Sequence, residues 1–169
     1  GLNMRLDSTY AFPWNMTLGA ITDLELIRQT GQHIGSHCKR LGVHFNFAPV
    51  VDINTNFINP IIGNRSFGED KQNVTEKALA FMQGLQSTGV LANAKHFPGH
   101  GGVKEDSHIE LPIDNRDLSM IWECDLAPFR ILIKNNSNLR LLKIKKEQNN
   151  SILFIKYNNS NLVFSIKKN

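Results

Sequence analysis

The sequence lacks any run of about 18 apolar residues, the length that a membrane-spanning helix requires, so we predict no membrane span. It has only two cysteines, Cys38 and Cys124, which is too few for a disulfide framework or a cysteine-rich zinc site. We therefore expect both to be small buried apolar side chains. The start of the chain, Gly1–Arg5, lacks the basic and apolar regions of a signal peptide, and the sequence assigns no compartment.

The end of the chain lacks whole classes of residue. From 135 to 169 there is no Gly, Ala, Pro, Asp, Thr or His, whereas there are nine Asn and six Lys. Such a composition is unusual for a domain. We predict that residues 135–169 form an irregular Asn/Lys/Ile-rich tail outside the native fold, and that residues 1–134 form the folded part. An alternative is a hairpin that pairs Ile152–Tyr157 with Leu162–Ile166 around a turn of Asn and Ser.

The basic charge of the protein also resides in this tail. The whole chain carries a formal net charge of +4, but residues 135–169 hold seven basic residues and one acidic residue. The remaining 134 residues therefore carry a net charge of −2. Because the folded part is slightly acidic, the high pI is poor evidence for nucleic-acid binding, and we predict no nucleic-acid partner.

Helical patterns occupy three stretches of the folded part. Thr22 begins a capping box with Glu25, which predicts a helix with Thr22 as its N-cap and Gly42 at its end. Its apolar face is predicted to be Leu24, Ile27, Gly31, Ile34, Cys38 and Leu41. His33 and His37 lie one turn apart on it, and we interpret them as exposed polar residues rather than a metal pair.

A second helix is predicted to bury Val74, Ala78, Phe81, Met82 and Leu85 and to stop at Gly89. A third helix is predicted to start at Asp117, with an interruption at Pro128.

Two apolar stretches between these helices have the pattern of strands. Residues 43–53 alternate and then become wholly apolar. Residues 89–94 form a short apolar run that is bounded by glycine on one side and by Pro98-Gly99 on the other, and Lys95 and His96 close this predicted strand. Between them, residues 54–69 form a long loop that contains Arg65, and long loops in compact domains are usually functional. The alternation of helices and strands predicts an α/β fold with parallel strands.

The largest cluster of titratable side chains lies in the histidine loop, residues 95–108, which holds three of the six histidines. Lys95 and His96 close the second predicted strand, where a bend would turn both into one pocket. Asp106 and His108 are two residues apart, so the carboxylate can orient the imidazole and raise its pKa. An aspartate-supported histidine is a competent general acid and base, although the same pair also occurs as a purely structural hydrogen bond.

A metal site is the competing interpretation of this loop. His96, His100, Asp106 and His108 supply a mixture of nitrogen and oxygen ligands. Their spacing matches no standard zinc signature, however, and we predict neither a metal nor another cofactor. A metal-dependent hydrolase stays as the less favoured alternative.

Three motifs in this order resemble those of one enzyme family. Residues 95–101 with Asp106-Ser107-His108 closely resemble the signature of glycoside hydrolase family 3 β-N-acetylglucosaminidases. Residues 48–53 and 64–70 are similar to two further signatures of that family, and Met4-Arg5-Leu6 to the end of a fourth. The resemblance covers residues 1–134 and implies a truncated (β/α)8 TIM barrel, because a whole barrel needs about 250 residues.

The resemblance also implies a reaction and a set of site residues. The reaction is the retaining hydrolysis of terminal β-linked N-acetylglucosamine from glycans, chitin-type oligosaccharides or peptidoglycan fragments. His108 would be the acid/base and Asp106 its partner. The sugar would be bound by Arg5, Arg65, Lys95 and His96. The family's nucleophile is an aspartate well downstream of the histidine loop, but here only Glu147 is acidic after Asp125. The chain is therefore predicted to be inactive alone, with a non-catalytic sugar-binding remnant as an alternative.

Overall fold

A computed structural model describes residues 1–104, 114 and 116–135 with their side chains, and the backbone of three strands within 144–167. The chain forms two compact units, residues 1–129 and 130–169. The helices are α1 (Asn15–Gly19), α2 (Leu24–Arg40), α3 (Lys71–Gln86), α4 (Leu118–Glu123) and α5 (Leu126–Lys134). The strands are β1 (Phe45–Asn46), β2 (Leu91–Ala92), β3 (Ile144–Glu147), β4 (Asn150–Tyr157) and β5 (Ser160–Lys167). Among the described residues, no helix combines the length and the hydropathy that crossing a membrane requires.

Helix α2 is capped one residue later than the sequence predicts. Asp23 is its N-cap, and the Asp23 carboxylate accepts a hydrogen bond of 2.8 Å from the Glu25 amide. Thr22 as N-cap was therefore wrong, because an ionised carboxylate at the next position is the stronger acceptor. Glu25 does not complete a capping box, since its carboxylate binds Arg28 and Gln29. The hydrogen bonds from Arg28 lower the pKa of Glu25 to about 2.

The predicted apolar face of α2 is buried in its centre and exposed at its ends. Ile27, Gly31, Ile34 and Cys38 are buried, whereas Leu24 and Leu41 are exposed, which corrects the prediction at those two positions. Leu24 is the first residue of the helix and Leu41 follows its last turn, so neither lies against the middle of the packed face. Of the two histidines, His33 is exposed, and the ring of His37 lies 6.1 Å from that of Phe12. The second cysteine, Cys124, is only partly buried.

Helix α3 packs against α2 with almost no side chain between the two backbones. Its predicted face, Val74, Ala78, Phe81, Met82 and Leu85, is buried, which confirms that prediction. A Cβ at Gly84 would lie only 1.8 Å from the Arg28 carbonyl oxygen, and one at Gly31 would lie 2.1 Å from the Phe81 carbonyl oxygen. Such a crossing admits only glycine at both positions.

The two predicted strands of the unit formed by residues 1–129 pair in parallel, as the alternation of helices and strands indicates. Phe45 lies opposite Leu91 and Asn46 opposite Ala92. The regular ladder is much shorter than residues 43–53 and 89–96. Its register shifts by one residue before the bridge between Val50 and Lys95, and Pro49 has no N–H to donate to the ladder. The peptide bond before Pro49 is cis, and so is the bond that joins Lys95 to His96.

The remaining connections follow the predicted order with two local differences. Residues 54–69 form the expected loop, which contains one short 3-10 turn at Gly63–Arg65. Asp117 precedes α4, but its side chain makes no capping hydrogen bond to that helix. The interruption falls at Cys124 and Asp125, so Pro128 lies in the first turn of α5, where its missing N–H has no helical partner to lose.

The C-terminal unit contains regular strands rather than an irregular tail. β4 and β5 pair antiparallel, with Tyr157 opposite Ser160, and β3 pairs antiparallel with the other edge of β4. The expectation of an irregular tail is therefore wrong for these residues, and the alternative hairpin is confirmed. The consecutive runs Ile152–Ile155 and Leu162–Phe164 give β4 and β5 a high β-propensity.

The glycine contact between α2 and α3 predicts a large effect of one methyl group. We expect Gly84→Ala to lower the free energy of unfolding by about 1–3 kcal/mol, because the new Cβ would overlap the Arg28 carbonyl. The matched control is Gln83→Ala, at the neighbouring exposed position of α3, which should change stability by less than about 0.5 kcal/mol. Urea unfolding followed by circular dichroism measures both. Equal midpoints for the two variants would contradict the close helix crossing.

Candidate active site

Two loops leave the same edge of the parallel strand pair. The arginine loop, residues 54–69, follows the segment that begins with β1, and the histidine loop follows β2. The Val51 amide donates to the Lys95 carbonyl over 2.7 Å, and the Lys95 amide donates to the Pro49 carbonyl over 3.1 Å. Because the carboxyl ends of parallel strands lie at one edge, the polar residues after both strands are brought together.

Three of the predicted sugar-binding residues lie at this edge. An Arg65 guanidinium nitrogen is 3.1 Å from His96 Nε2, and the other terminal nitrogen donates to the Ile61 carbonyl over 3.0 Å. Lys95 precedes His96 in the chain and interacts electrostatically with Arg65. The structure thus gathers Arg65, Lys95 and His96 from two loops that are 30 residues apart. Their role toward a sugar stays a prediction.

Lys95 is held in an unfavourable place for a cation. Its side chain is half-buried, and burial lowers the pKa of its ammonium below the ordinary value of 10.5. The neighbouring Arg65 charge lowers this pKa further, whereas the Asp52 carboxylate raises it. A desolvated ammonium beside a guanidinium interacts strongly with any acceptor that replaces its lost water, and a sugar hydroxyl or amide oxygen is such an acceptor.

Asp52 also belongs to this site, although the sequence analysis did not predict it as a site residue. Its side chain is 1% exposed, and it accepts hydrogen bonds from the backbone amides of His96 and His100. The same carboxylate lies 2.6 Å from His96 Nδ1. The signal in the sequence was a lone carboxylate directly after the apolar run Val50-Val51, where a buried charge requires several donors. Sequence alone does not reveal that those donors lie 44 residues away.

Asn59 ties the two loops together. Its buried amide donates to the carbonyls of His100 and Val103, while its oxygen accepts from the amides of Ile61 and Ile62. The backbones also approach closely, since a Cβ at Gly101 would lie 1.9 Å from the Ile53 carbonyl oxygen. The described part of the histidine loop is therefore fixed against the arginine loop by backbone and amide contacts rather than by apolar packing.

A cavity of about 350 Å³ lies on the histidine loop. It is lined by His96, Phe97, Pro98, Gly99, His100, Val103, Asp114, Ile121 and Asp125. Both ring nitrogens of His100 are buried without a hydrogen-bond partner among the described residues. Arg116 pairs with Asp114 and also lies 2.9 Å from the Asp125 carboxylate, so these two acids share a single cation.

Three further residues were predicted to belong to the site: Arg5, Asp106 and His108. Arg5 is exposed directly after a short 3-10 turn at Leu2–Met4, and its guanidinium lies 3.5 Å from the Met4 carbonyl oxygen. Asp106 and His108, the predicted acid/base pair, lie outside the described residues. Within the described part, no three His, Cys, Asp or Glu side chains are grouped in a way that would hold a metal ion.

The environment of Lys95 generates a prediction about its titration. We expect the Lys95 ammonium to have a pKa below the ordinary lysine value of 10.5, measured from the chemical shift of its ε-methylene group across pH. Arg65→Gln should raise the pKa of Lys95, since it removes a nearby positive charge. Asp52→Asn should lower it further, since it removes the compensating negative charge.

The sign of the accompanying stability change follows from the lowered pKa. Between the lowered pKa and 10.5 the unfolded chain binds more protons at this site than the folded chain does. The contribution of Lys95 to stability is therefore least favourable at neutral pH and improves as pH rises through this window. Arg40→Gln, at an exposed end of α2, is the control that should leave the titration of Lys95 unchanged. Shifts in the same direction for Arg65→Gln and Asp52→Asn would contradict the described arrangement.

Comparison with known proteins agrees with this arrangement of elements. The family model described as the glycosyl hydrolase family 3 N-terminal domain matches residues 1–142. A β-hexosaminidase of Thiobacillus denitrificans is 43% identical over 110 residues, which are 65% of this chain and 30% of that protein. The chain therefore spans less than a third of the length of that relative.

Solved structures lead to the same family. A family 3 β-N-acetylglucosaminidase from a Paenibacillus species is 41% identical, with a TM-score of 0.76 over 79% of this chain and 26% of that one. NagZ from Neisseria gonorrhoeae, solved in complex with N-trifluoroacetyl-D-glucosamine, is 35% identical, with a TM-score of 0.71 over 78% of this chain and 40% of that one. With the family model matching most of its length, this chain belongs to the glycosyl hydrolase family 3 N-terminal domain family.

Proposed function

We propose that the chain is the N-terminal part of a retaining β-N-acetylhexosaminidase, and that β1 and β2 are neighbouring strands of its (β/α)8 barrel. The observation that carries this proposal is the contact between Arg65 and His96, made by two loops at the carboxyl ends of adjacent parallel strands. That edge is where barrel enzymes build their active sites. Relatives that are 41% and 43% identical are a β-N-acetylglucosaminidase and a β-hexosaminidase.

The sugar would be bound by the cations at this edge. Arg65 has partners among the described residues for two of its five N–H groups, so it can offer further donors to hydroxyl oxygens. Lys95 adds a partly desolvated ammonium, and Arg5 is assigned to the same role by resemblance. The family's natural substrates, chitin-type oligosaccharides and peptidoglycan fragments, both end in N-acetylated sugars that such donors recognise. A related NagZ was solved with an N-acylated glucosamine bound.

Catalysis would need two groups on opposite sides of the glycosidic bond. In the proposed mechanism His108 donates a proton to the leaving oxygen and later takes one from water, while Asp106 stabilises the charged imidazole. A carboxylate nucleophile about 5 Å away would form the glycosyl-enzyme. Between residue 126 and residue 169 the only acidic residue is Glu147, which occupies the end of β3. The second candidate function of the 169-residue chain is binding of a sugar without turnover.

Binding of the monosaccharide tests the proposed site. We expect titration calorimetry to detect binding of N-acetylglucosamine to the 169-residue chain, and Arg65→Gln to weaken it about tenfold or more, because a charge-assisted donor is lost. Arg40→Gln is the matched control and should bind normally. The titration is repeated with a chelator and then with added zinc. A requirement for zinc would favour the metal-dependent alternative, and equal binding by both variants would contradict the assigned site.

Turnover separates the two candidate functions of the chain. We expect the 169-residue chain to release no nitrophenol from nitrophenyl N-acetyl-β-D-glucosaminide. An otherwise identical protein extended with the downstream part of the related Paenibacillus enzyme should release it. In that extended protein His108→Ala should lose far more activity on natural glycans than on the nitrophenyl substrate, because a good leaving group needs little protonation. Activity of the short chain that disappears in Glu147→Gln would show that the nucleophile had been wrongly excluded.

A further inference from the structure

The buried Asp52 carboxylate has no role in the proposed reaction. Its side chain is 1% exposed, so a sugar cannot reach it. Yet a buried carboxylate is costly unless its oxygens accept several hydrogen bonds. Within the described part of the chain, its donors come from the histidine loop: the amide of His96 at 3.1 Å, the amide of His100 at 2.8 Å and Nδ1 of His96 at 2.6 Å. A charge placed so that one loop alone satisfies it must influence the geometry of that loop.

The contacts of the His96 ring determine which nitrogen carries the proton. A guanidinium can only donate hydrogen bonds, so Nε2, which faces Arg65 over 3.1 Å, must accept. A neutral imidazole that accepts at Nε2 carries its proton on Nδ1. An ionised carboxylate can only accept, and Asp52 is the partner of Nδ1. The two neighbours therefore require the same tautomer, with the proton between Nδ1 and Asp52.

The backbone contacts show that Asp52 also sets the path of the loop. The backbone amides of His96 and His100 donate hydrogen bonds to the Asp52 carboxylate, and these bonds hold the first turn of the histidine loop against the end of the apolar run. The Ser66 hydroxyl, next to Arg65, donates to the Asp52 carbonyl over 2.6 Å. Asp52 is thus joined both to the ring that contacts Arg65 and to the backbone that carries Arg65.

We propose that Asp52 is a positioning residue, which holds His96 in the Nδ1–H tautomer so that Nε2 orients the Arg65 guanidinium. The statement about the tautomer stands on the apo geometry alone. The consequence for ligand binding rests on the proposed function, since it assumes that Arg65 contacts the sugar. Asparagine at position 52 would present an NH2 group or a weaker acceptor to Nδ1, and either change weakens the selection of this tautomer.

Nitrogen NMR of the whole chain, labelled at histidine, tests the tautomer directly. In the unsubstituted protein we expect His96 Nδ1 to have a pyrrole-type shift and Nε2 a pyridine-type shift. Asp52→Asn should reverse or average the two shifts, whereas Asp117→Asn, an equal change of charge at an exposed residue, should leave them unchanged. A proton on Nε2 in the unsubstituted protein would overturn the proposal, and that measurement does not depend on whether any variant folds.

Binding of N-acetylglucosamine tests the consequence. We expect Asp52→Asn to weaken binding about tenfold, on the scale of one lost charge-assisted hydrogen bond, although Asp52 does not touch the ligand. In an Arg65→Gln background the same substitution should cost much less, because the part of its effect that passes through Arg65 is already lost. Equal losses in both backgrounds would overturn the positioning role. If the unsubstituted chain binds no sugar, the proposed function fails, while the tautomer measured by NMR still decides the structural part.

Discussion

The candidate site in residues 1–129 depends on one buried carboxylate and on the hydrogen-bond donors that surround it. Asp52 ends an apolar run, and a charge in that position is tolerated only if hydrogen bonds replace its water. Its donors among the described residues belong to the start of the histidine loop. The requirement to satisfy this charge therefore couples two segments that are separated by more than 40 residues. Without that coupling, a loop rich in glycine would have many paths of similar energy.

Close backbone contacts supply the second constraint on the site. The arginine and histidine loops meet through the Asn59 amide and through the approach of Gly101 to Ile53. Beneath them, α2 and α3 cross at glycines that leave no room for a side chain. Rigid helices and a short parallel pair thus support loops whose shape is decided by polar contacts. This division is typical of α/β proteins, in which the scaffold is apolar and the site is polar.

The electrostatics of the site follow from this arrangement. Burial lowers the pKa of Lys95, and the repulsion from Arg65, a second cation at the same edge, lowers it further. The buried Asp52 carboxylate offsets part of that repulsion. The net result is a concentration of donors around the ring of His96, in a part of the chain whose overall charge is slightly negative.

Local patterns in the sequence predicted most of the scaffold and the identity of the chemistry. The 3.6-residue periodicity correctly identified the buried faces of α2 and α3, because a helix repeats its environment at that spacing. Errors arose where neighbours compete: Asp23 caps α2 instead of Thr22, and Pro49 with a shifted register shortens the parallel ladder. In the tail, composition suggested irregularity, although its runs of β-branched and aromatic residues favour paired strands.

By itself, the sequence determined which residues are available for chemistry, since Arg65, Lys95 and the histidines stand in motifs that resemble one family. Only the tertiary structure decided which of them meet, because hydrogen bonds between distant segments leave no periodic trace in the chain. The partnership of Asp52 with His96, and the tautomer that it requires, depends on how two parallel strands place their ends side by side. A buried charge shows that partners must exist, and folding determines which residues they are.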